Sequence, residues 1–255
     1  MLEDYPERII DERIELMSCI NYAHRGASRY APENTLAAFY LGIEMGAQGI
    51  ETDIQRTSDG ALVLFHDKTL LRIAGMEGCI SDYTYAQLLE MDFGAHTGKE
   101  AYRGERIVTL NEFLLRFGRK NLAFALEIKQ TGTEEECLAL IHQYGMERKV
   151  TFTSFLWDSL VKLRRLDSEM AIGYLTERIT QETLDLLDQH RMGQICPRVS
   201  LLDKEGIQLA RRRNFSVRGW GVKDAELMDR ALALGVDGMT VDFPDLLTAR
   251  LRAAE

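Results

Sequence analysis

Four short pieces of the chain hold residue types that do chemistry: His24-Arg25-Gly26, Glu51-Thr52-Asp53, His66-Asp67 and Glu127-Ile128-Lys129. Each ends an apolar run that reads as a strand, so three carboxylates, two imidazoles and two cations converge at one end of a parallel barrel. Packing explains them poorly, because ionisable groups are rarely buried unless paired or bound to metal. Residues two apart on a strand share a face, which puts Glu51 with Asp53 and Glu127 with Lys129. Three carboxylates with no cysteine among them suit a hard divalent cation, Mg2+ or Ca2+, which takes oxygen donors. The inventory fits metal-assisted cleavage of a phosphate ester.

That reaction needs a nucleophile deprotonated and a leaving alkoxide protonated. His24 and His66 are the acid–base candidates, since imidazole titrates near neutral pH. Arg25 offers a planar fork for two phosphoryl oxygens, and Lys129 offers a second cation. Each cation also has a bland role open to it: a salt bridge from Arg25 to Glu33 or Asp67, and from Lys129 to Glu127. Trp220, in the run VRGWGV, is either core or a wall for the glycerol or cationic head of a substrate. His96, His142 and His190 fall in a long excursion or in helices and read as structural.

The elements that must position these groups alternate strand-like and helical runs, the signature of βα repeats. Eight strands are predicted near 20–24, 49–55, 122–128, 150–154, 171–175, 194–198, 215–220 and 237–242. With 255 residues, the predicted fold is a TIM (β/α)8 barrel, one domain spanning residues 1–255, with a small insertion after the second barrel strand. Asn34 or a neighbour caps the first helix, which stops near Gly46. Thr109 with Glu112 and Thr133 with Glu136 have capping-box spacing, and Asp224 is a further cap.

An Asp59-Gly60 turn between apolar runs signals a hairpin. With those two as turn residues, Ser58 pairs with Ala61 and Asp53 lies opposite His66. From 68 to 108 the chain wanders through several glycines, and this insertion is expected to form a lid or substrate wall.

A net charge of −9 argues against non-specific binding to nucleic acid or an anionic membrane face. No apolar run is long enough to span a bilayer, and the acidic first residues do not read as a secretory signal. Cys19, Cys79, Cys137 and Cys196 are too scattered for a disulfide framework or zinc site. A cytoplasmic protein with reduced thiols is expected. Nothing in the sequence specifies an oligomeric state or a role for residues 1–19, beyond covering the barrel bottom.

AHRGASRYAPENTLAAF, GIETDIQRTSDGALVLFHD and LEIK together resemble the motifs of the glycerophosphodiester phosphodiesterase family, and VRGWGVKD and GVDGMTVDFPD resemble its last strand segments. The resemblance implies a divalent metal held by Glu51, Asp53 and Glu127, an acid–base pair at His24 and His66, and phosphate binding by Arg25. Glu33 and Asn34 match its Pro-Glu-Asn-Thr block, which shapes the site from behind. The implied reaction splits a small glycerophosphodiester into sn-glycerol 3-phosphate and an alcohol. Rival readings are release of a head group from lysophospholipids, and a silent barrel that binds glycerophosphoryl ligands. Val108, Gly221 and Lys223 depart from the family's usual proline, threonine and asparagine.

Overall fold

The computed structural model describes residues 19–254, so the expectation that residues 1–19 cover the barrel bottom lies, but for Cys19, outside the described residues. Nine strands form one sheet: β1 (Ile20–His24), β2 (Gly49–Arg56), β3 (Leu62–Leu64), β4 (Ala123–Ile128), β5 (Val150–Ser154), β6 (Ala171–Thr176), β7 (Gln194–Pro197), β8 (Ser216–Val222) and β9 (Gly238–Val241). All pair in parallel except β3, which runs antiparallel along β2. The order β1-β9-β8-β7-β6-β5-β4-β2 closes through a β1–β2 pairing, giving the predicted eight-stranded parallel barrel. Each predicted strand is present, its ends displaced by at most two residues.

Helices connect the strands and cover them from outside. They are α1 (Leu36–Glu44), the short α2 (Leu71–Ala74) and α3 (Tyr85–Leu89), α4 (Leu110–Phe117), α5 (Glu134–Tyr144), α6 (Trp157–Leu166), α7 (Gln181–Gln189), α8 (Lys204–Arg212), α9 (Ala225–Leu234) and α10 (Pro244–Ala253). The main apolar core lies between strands and helices, where Phe39, Phe113, Phe117 and Phe124 pack edge-on or tilted. Because both faces of a parallel barrel are covered, β2 and β4 are buried along almost their whole length, carboxylates included.

Local expectations fared unevenly. The cap of α1 is Thr35, the neighbour of Asn34, which accepts from the Ala38 N–H, while Asn34 itself sits in a left-handed turn at φ 57°. Thr109 accepts from the Glu112 N–H, but the Glu112 carboxylate turns to Arg116, so only half the box forms. Thr133 does not cap α5, because its backbone is already helical and its hydroxyl donates to Gln130. Asp224 caps α9 as expected.

The hairpin register is one residue off the prediction. Ile54 pairs with Leu64, and the Phe65 N–H donates to Asp53, so Phe65 and not His66 lies opposite Asp53. The turn takes three residues, Ser58-Asp59-Gly60, closed by Thr57 N–H donating to Ala61. Gly60 at φ 90° supplies the left-handed position of such a loop. Beyond β3, the 68–108 excursion folds around its own apolar cluster of Leu70, Ile73, Ile80, Leu88, Phe93 and Ile107, resting on Val63 and Phe65.

Candidate active site

The strand registers set His24 beside Glu51 and Asp53 beside Glu127, at the C-terminal mouth where barrel enzymes place their chemistry. Oxygens of Glu51, Asp53 and Glu127 come within 4.8 Å of one another, and all three side chains are buried. Glu51 Oε2 and Asp53 Oδ1 are buried with no hydrogen-bond partner among the described residues. Orphaned carboxylate oxygens are costly in a protein interior, so the trio fits a divalent cation, its oxygen donors matching a hard ion.

Fixed cations flank the trio. Arg25 Nε lies 3.2 Å from Asp53 and its Nη1 donates to Glu33 at 3.0 Å, while Lys129 Nζ donates to Glu127 at 2.9 Å and lies 3.7 Å from Asp53. Both bland salt bridges, Arg25 with Glu33 and Lys129 with Glu127, therefore exist, and they aim the cations into the same pocket. Burial opposes ionisation of Asp53, but Arg25 and then Lys129 outweigh it and hold its carboxyl down to about 2. Burial, followed by the Asp53 charge, pushes Glu127 up to about 8.

Backbone strain positions Arg25. It sits in the left-handed region at φ 55°, a conformation that costs about 1–3 kcal/mol for a non-glycine residue. Its N–H donates to the Glu51 carbonyl and its own carbonyl accepts from the Asn34 N–H, which locks the loop between β1 and α1. Gly26 completes it at φ 83°, where a Cβ would stand 2.4 Å from the Ala38 backbone. Asn34 in turn donates to Asp53 Oδ2 at 3.2 Å and accepts from Thr52 Oγ1 at 2.7 Å. Glu33 and Asn34 thus hold the arginine and a carboxylate from behind.

Each histidine is held at Nδ1 by an aspartate. His24 Nδ1 lies 2.5 Å from Asp242 Oδ1, and His66 Nδ1 lies 2.8 Å from Asp67 Oδ1. An ionised carboxylate accepts, so Nδ1 carries the proton and the other ring nitrogen is left for the pocket. His24 Nε2 is 3.8 Å from Glu51. Burial and Arg25 press the His24 pKa down, yet the Asp242 hydrogen bond and Glu51 leave it raised; for His66 burial dominates and lowers it.

His24, Arg25, Glu51, His66, Glu127 and Lys129 line one pocket of about 240 Å³. Its far wall is apolar, made by Phe155, Leu175 and Trp220. Trp220 donates to the Thr176 carbonyl and meets Phe155 edge-on, while the Arg198 guanidinium covers it at 4.5 Å. A larger hollow of about 500 Å³ opens at the opposite end of the barrel and holds none of the acid–base residues.

Three site residues escaped the sequence reading. Asp242 was invisible because its partner His24 lies in a distant segment, and Arg72 because it joins nearby Asp67 to Glu33 of another loop. Arg218, buried on β8 two residues before Trp220, lies in the pocket floor and donates to Thr240 Oγ1. A charge at an inward position of the strand pattern was the available signal for it.

The chain is 33% identical over 241 residues to a glycerophosphodiester phosphodiesterase of Caldanaerobacter subterraneus, covering 92% of this chain and 99% of that one. It is 31% identical to a glycerophosphodiester phosphodiesterase of Bacillus altitudinis, over 88% of this chain and 94% of the other. Among solved structures it resembles an Oleispira antarctica phosphodiesterase in complex with the product sn-glycerol-3-phosphate, at TM-score 0.82 and 28% identity, covering 91% of this chain and 96% of that one. Residues 24–246 match the sequence model of the glycerophosphoryl diester phosphodiesterase family, and the chain belongs to that family.

Proposed function

We propose that this protein hydrolyses glycerophosphodiesters to sn-glycerol 3-phosphate and an alcohol, by acid–base catalysis between His24 and His66. One observation carries the reading: two carboxylate-backed imidazoles share a pocket with an orphaned acidic trio and with Arg25 and Lys129. The named relatives and the product-bound neighbour support the same reaction.

In the proposed mechanism Arg25 and Lys129 bind the phosphoryl oxygens and orient the diester against the histidines. One imidazole accepts the proton of the attacking oxygen, either water or the neighbouring glycerol hydroxyl, as its bond to phosphorus forms. The other donates a proton to the alcohol oxygen as the bond between phosphorus and that oxygen breaks. Attack by the hydroxyl gives a cyclic phosphate, which water then opens with the two imidazoles exchanging roles. Glu51, Asp53 and Glu127 would hold Mg2+ or Ca2+, which when bound polarises the phosphoryl group and stabilises charge developing on it. Glu33 and Asn34 keep Arg25 and Asp53 in place. Trp220, with Phe155 and Leu175, forms the wall for the carbon skeleton of the substrate.

The insertion over residues 68–108, expected to form a lid or substrate wall, supplies none of the residues that line this pocket, and is assigned the role of a support for His66, which it reaches through Arg72 and Asp67. Its apolar residues are spent on its own cluster, and the pocket is small, which supports a compact substrate over a lysophospholipid. No described helix is long and apolar enough to cross a membrane. Four unpaired cysteines fit a reducing cytoplasm. The test is glycerol 3-phosphate release from a panel of head groups with added Mg2+ or Ca2+, run beside lysophospholipids; no release from any glycerophosphodiester would overturn the reading, and turnover of a lysophospholipid would then separate that rival from the silent barrel.

A further inference from the structure

Arg72 stands on α2, the first helix of the insertion, and reaches back to the barrel mouth. Its Nη1 and Nη2 donate to the two oxygens of Glu33, each at 2.8 Å. Its Nε and Nη2 donate to the two oxygens of Asp67, at 2.6 and 3.0 Å. Glu33 is the acceptor for Arg25, and Asp67 is the acceptor for His66. We propose that Arg72 is a positioning residue whose guanidinium clasps Glu33 and Asp67 and through them fixes Arg25 and His66.

The arrangement is over-determined in a way that packing does not require. The Arg72 side chain is 49% exposed, so burial does not hold it; charge-assisted, two-point pairs do. Glu33, His66 and Asp67 lie close enough together to resemble a second cation site. All four carboxylate oxygens already accept from Arg72, so the cation at this place is the guanidinium itself. Only Arg, with a rigid fork, can span both acids at once; the point charge of Lys cannot. The clasp ties the two arms of the reaction, phosphate binding and proton transfer, to the same helical turn of the insertion. That turn is anchored from below by the buried side chains of Leu70 and Ile73.

This inference rests on the roles proposed for Arg25 and His66, so both must be tested alongside it. The experiment measures kcat and KM on glycerophosphoethanolamine, with metal present, for Arg72→Ala, Arg72→Lys, Glu33→Gln, Asp67→Asn and the doubles that combine Arg72→Ala with each acid variant. Removing partners that orient catalytic groups costs about 10–100-fold, and kcat/KM of Arg72→Ala is expected to fall in that range. The loss should divide, with Glu33→Gln reproducing its rise in KM and Asp67→Asn its fall in kcat. Residues acting as one unit are non-additive, so Arg72→Ala should add no more than about twofold to the KM rise of Glu33→Gln or to the kcat fall of Asp67→Asn, while still bringing the loss of the other arm. Arg72→Lys should be intermediate. Millimolar guanidinium should restore part of the Arg72→Ala activity where sodium chloride of equal ionic strength does not, an effect that a merely structural loss would not show.

Activity of Arg72→Ala within about twofold of the parent, or losses fully additive with both acid variants, overturns the clasp. Near-parent activity in both His66→Ala and Arg25→Ala overturns the site reading and the clasp with it. Large losses in those two beside an unaffected Arg72→Ala overturn the clasp alone.

Discussion

The ring of His24 and the carboxylate of Asp242 are 2.5 Å apart in space and 218 residues apart in sequence. Ser28 Oγ also donates to Asp242 Oδ1, at 2.8 Å, so the carboxylate is itself held in place. The parallel pairing of β1 with β9 makes this contact, because it sets Ala23 beside Val241 and leaves the next residue of each strand at the mouth.

Asp242→Asn should therefore lower kcat by about 10²-fold with KM little changed, since it removes the charge that fixes the Nδ1–H tautomer. His24→Ala and His66→Ala should each lower turnover by at least about 10²-fold. Circular dichroism should match the parent for all three. Steady-state rates near those of the parent in Asp242→Asn would show that the pair is structural only.

Metal binding should be visible without any assay of activity. A ligand at about 100 times its Kd stabilises the folded state by about 2.7 kcal/mol, which for a chain of this size raises Tm by about 5–10 °C. Differential scanning calorimetry with Mg2+ or Ca2+ should show that rise in the parent and none in Asp53→Asn. EDTA should abolish hydrolysis, and either ion should restore it. A Tm unmoved by both ions, with activity surviving EDTA, would remove the acidic trio from the mechanism.

Acid should remove the contribution of the clasp to stability. The Arg72 hydrogen bonds, aided by His66 against the effect of burial, hold the Asp67 carboxyl down to about 2. A group with a depressed folded pKa binds fewer protons folded than unfolded, so its contribution is complete above the ordinary carboxyl value and lost as pH falls through the folded one. The stability gap between the parent and Asp67→Asn, measured in urea, should be constant above about pH 5 and close between about pH 4 and pH 2. A gap that stays constant down to pH 2 would contradict the assignment.

The cysteines should separate by burial. Burial pushes the Cys137 thiol up to about 12 and, with Asp237 nearby, does the same for Cys19; Cys196 is also buried and raised. Only Cys79, half-buried in the insertion, is accessible among the four. A thiol must be exposed and deprotonated to react, so native protein should titrate one thiol rapidly with an aromatic disulfide reagent and four in denaturant. Rapid labelling of Cys137 in the native state would mean that α5 opens locally.

The eight barrel strands and the three acids were legible in the sequence because each signal is local. An apolar run ending in Glu-Thr-Asp or Glu-Ile-Lys states both a strand and the residues at its end, and period-two geometry then decides which side chains share a face. Chain-local reasoning fell short where two signals competed over one or two residues. Between Asn34 and its neighbour, the cap fell to Thr35 because a left-handed backbone was needed to bring the Asn34 amide to Asp53. The turn at Asp59-Gly60 absorbed a third residue, which moved Phe65 opposite Asp53 and set His66 past the end of β3.

Tertiary structure alone decided the partners. Asp242, Arg72 and Arg218 carry no signal that names His24, Asp67 or Thr240 as neighbours, since those contacts follow from barrel closure and from how the insertion folds back. Sequence specifies which groups can bear charge and which face they leave by. Closing the sheet on itself fixes the distances between them, and it is those distances that turn three acids, two rings and two cations into one site.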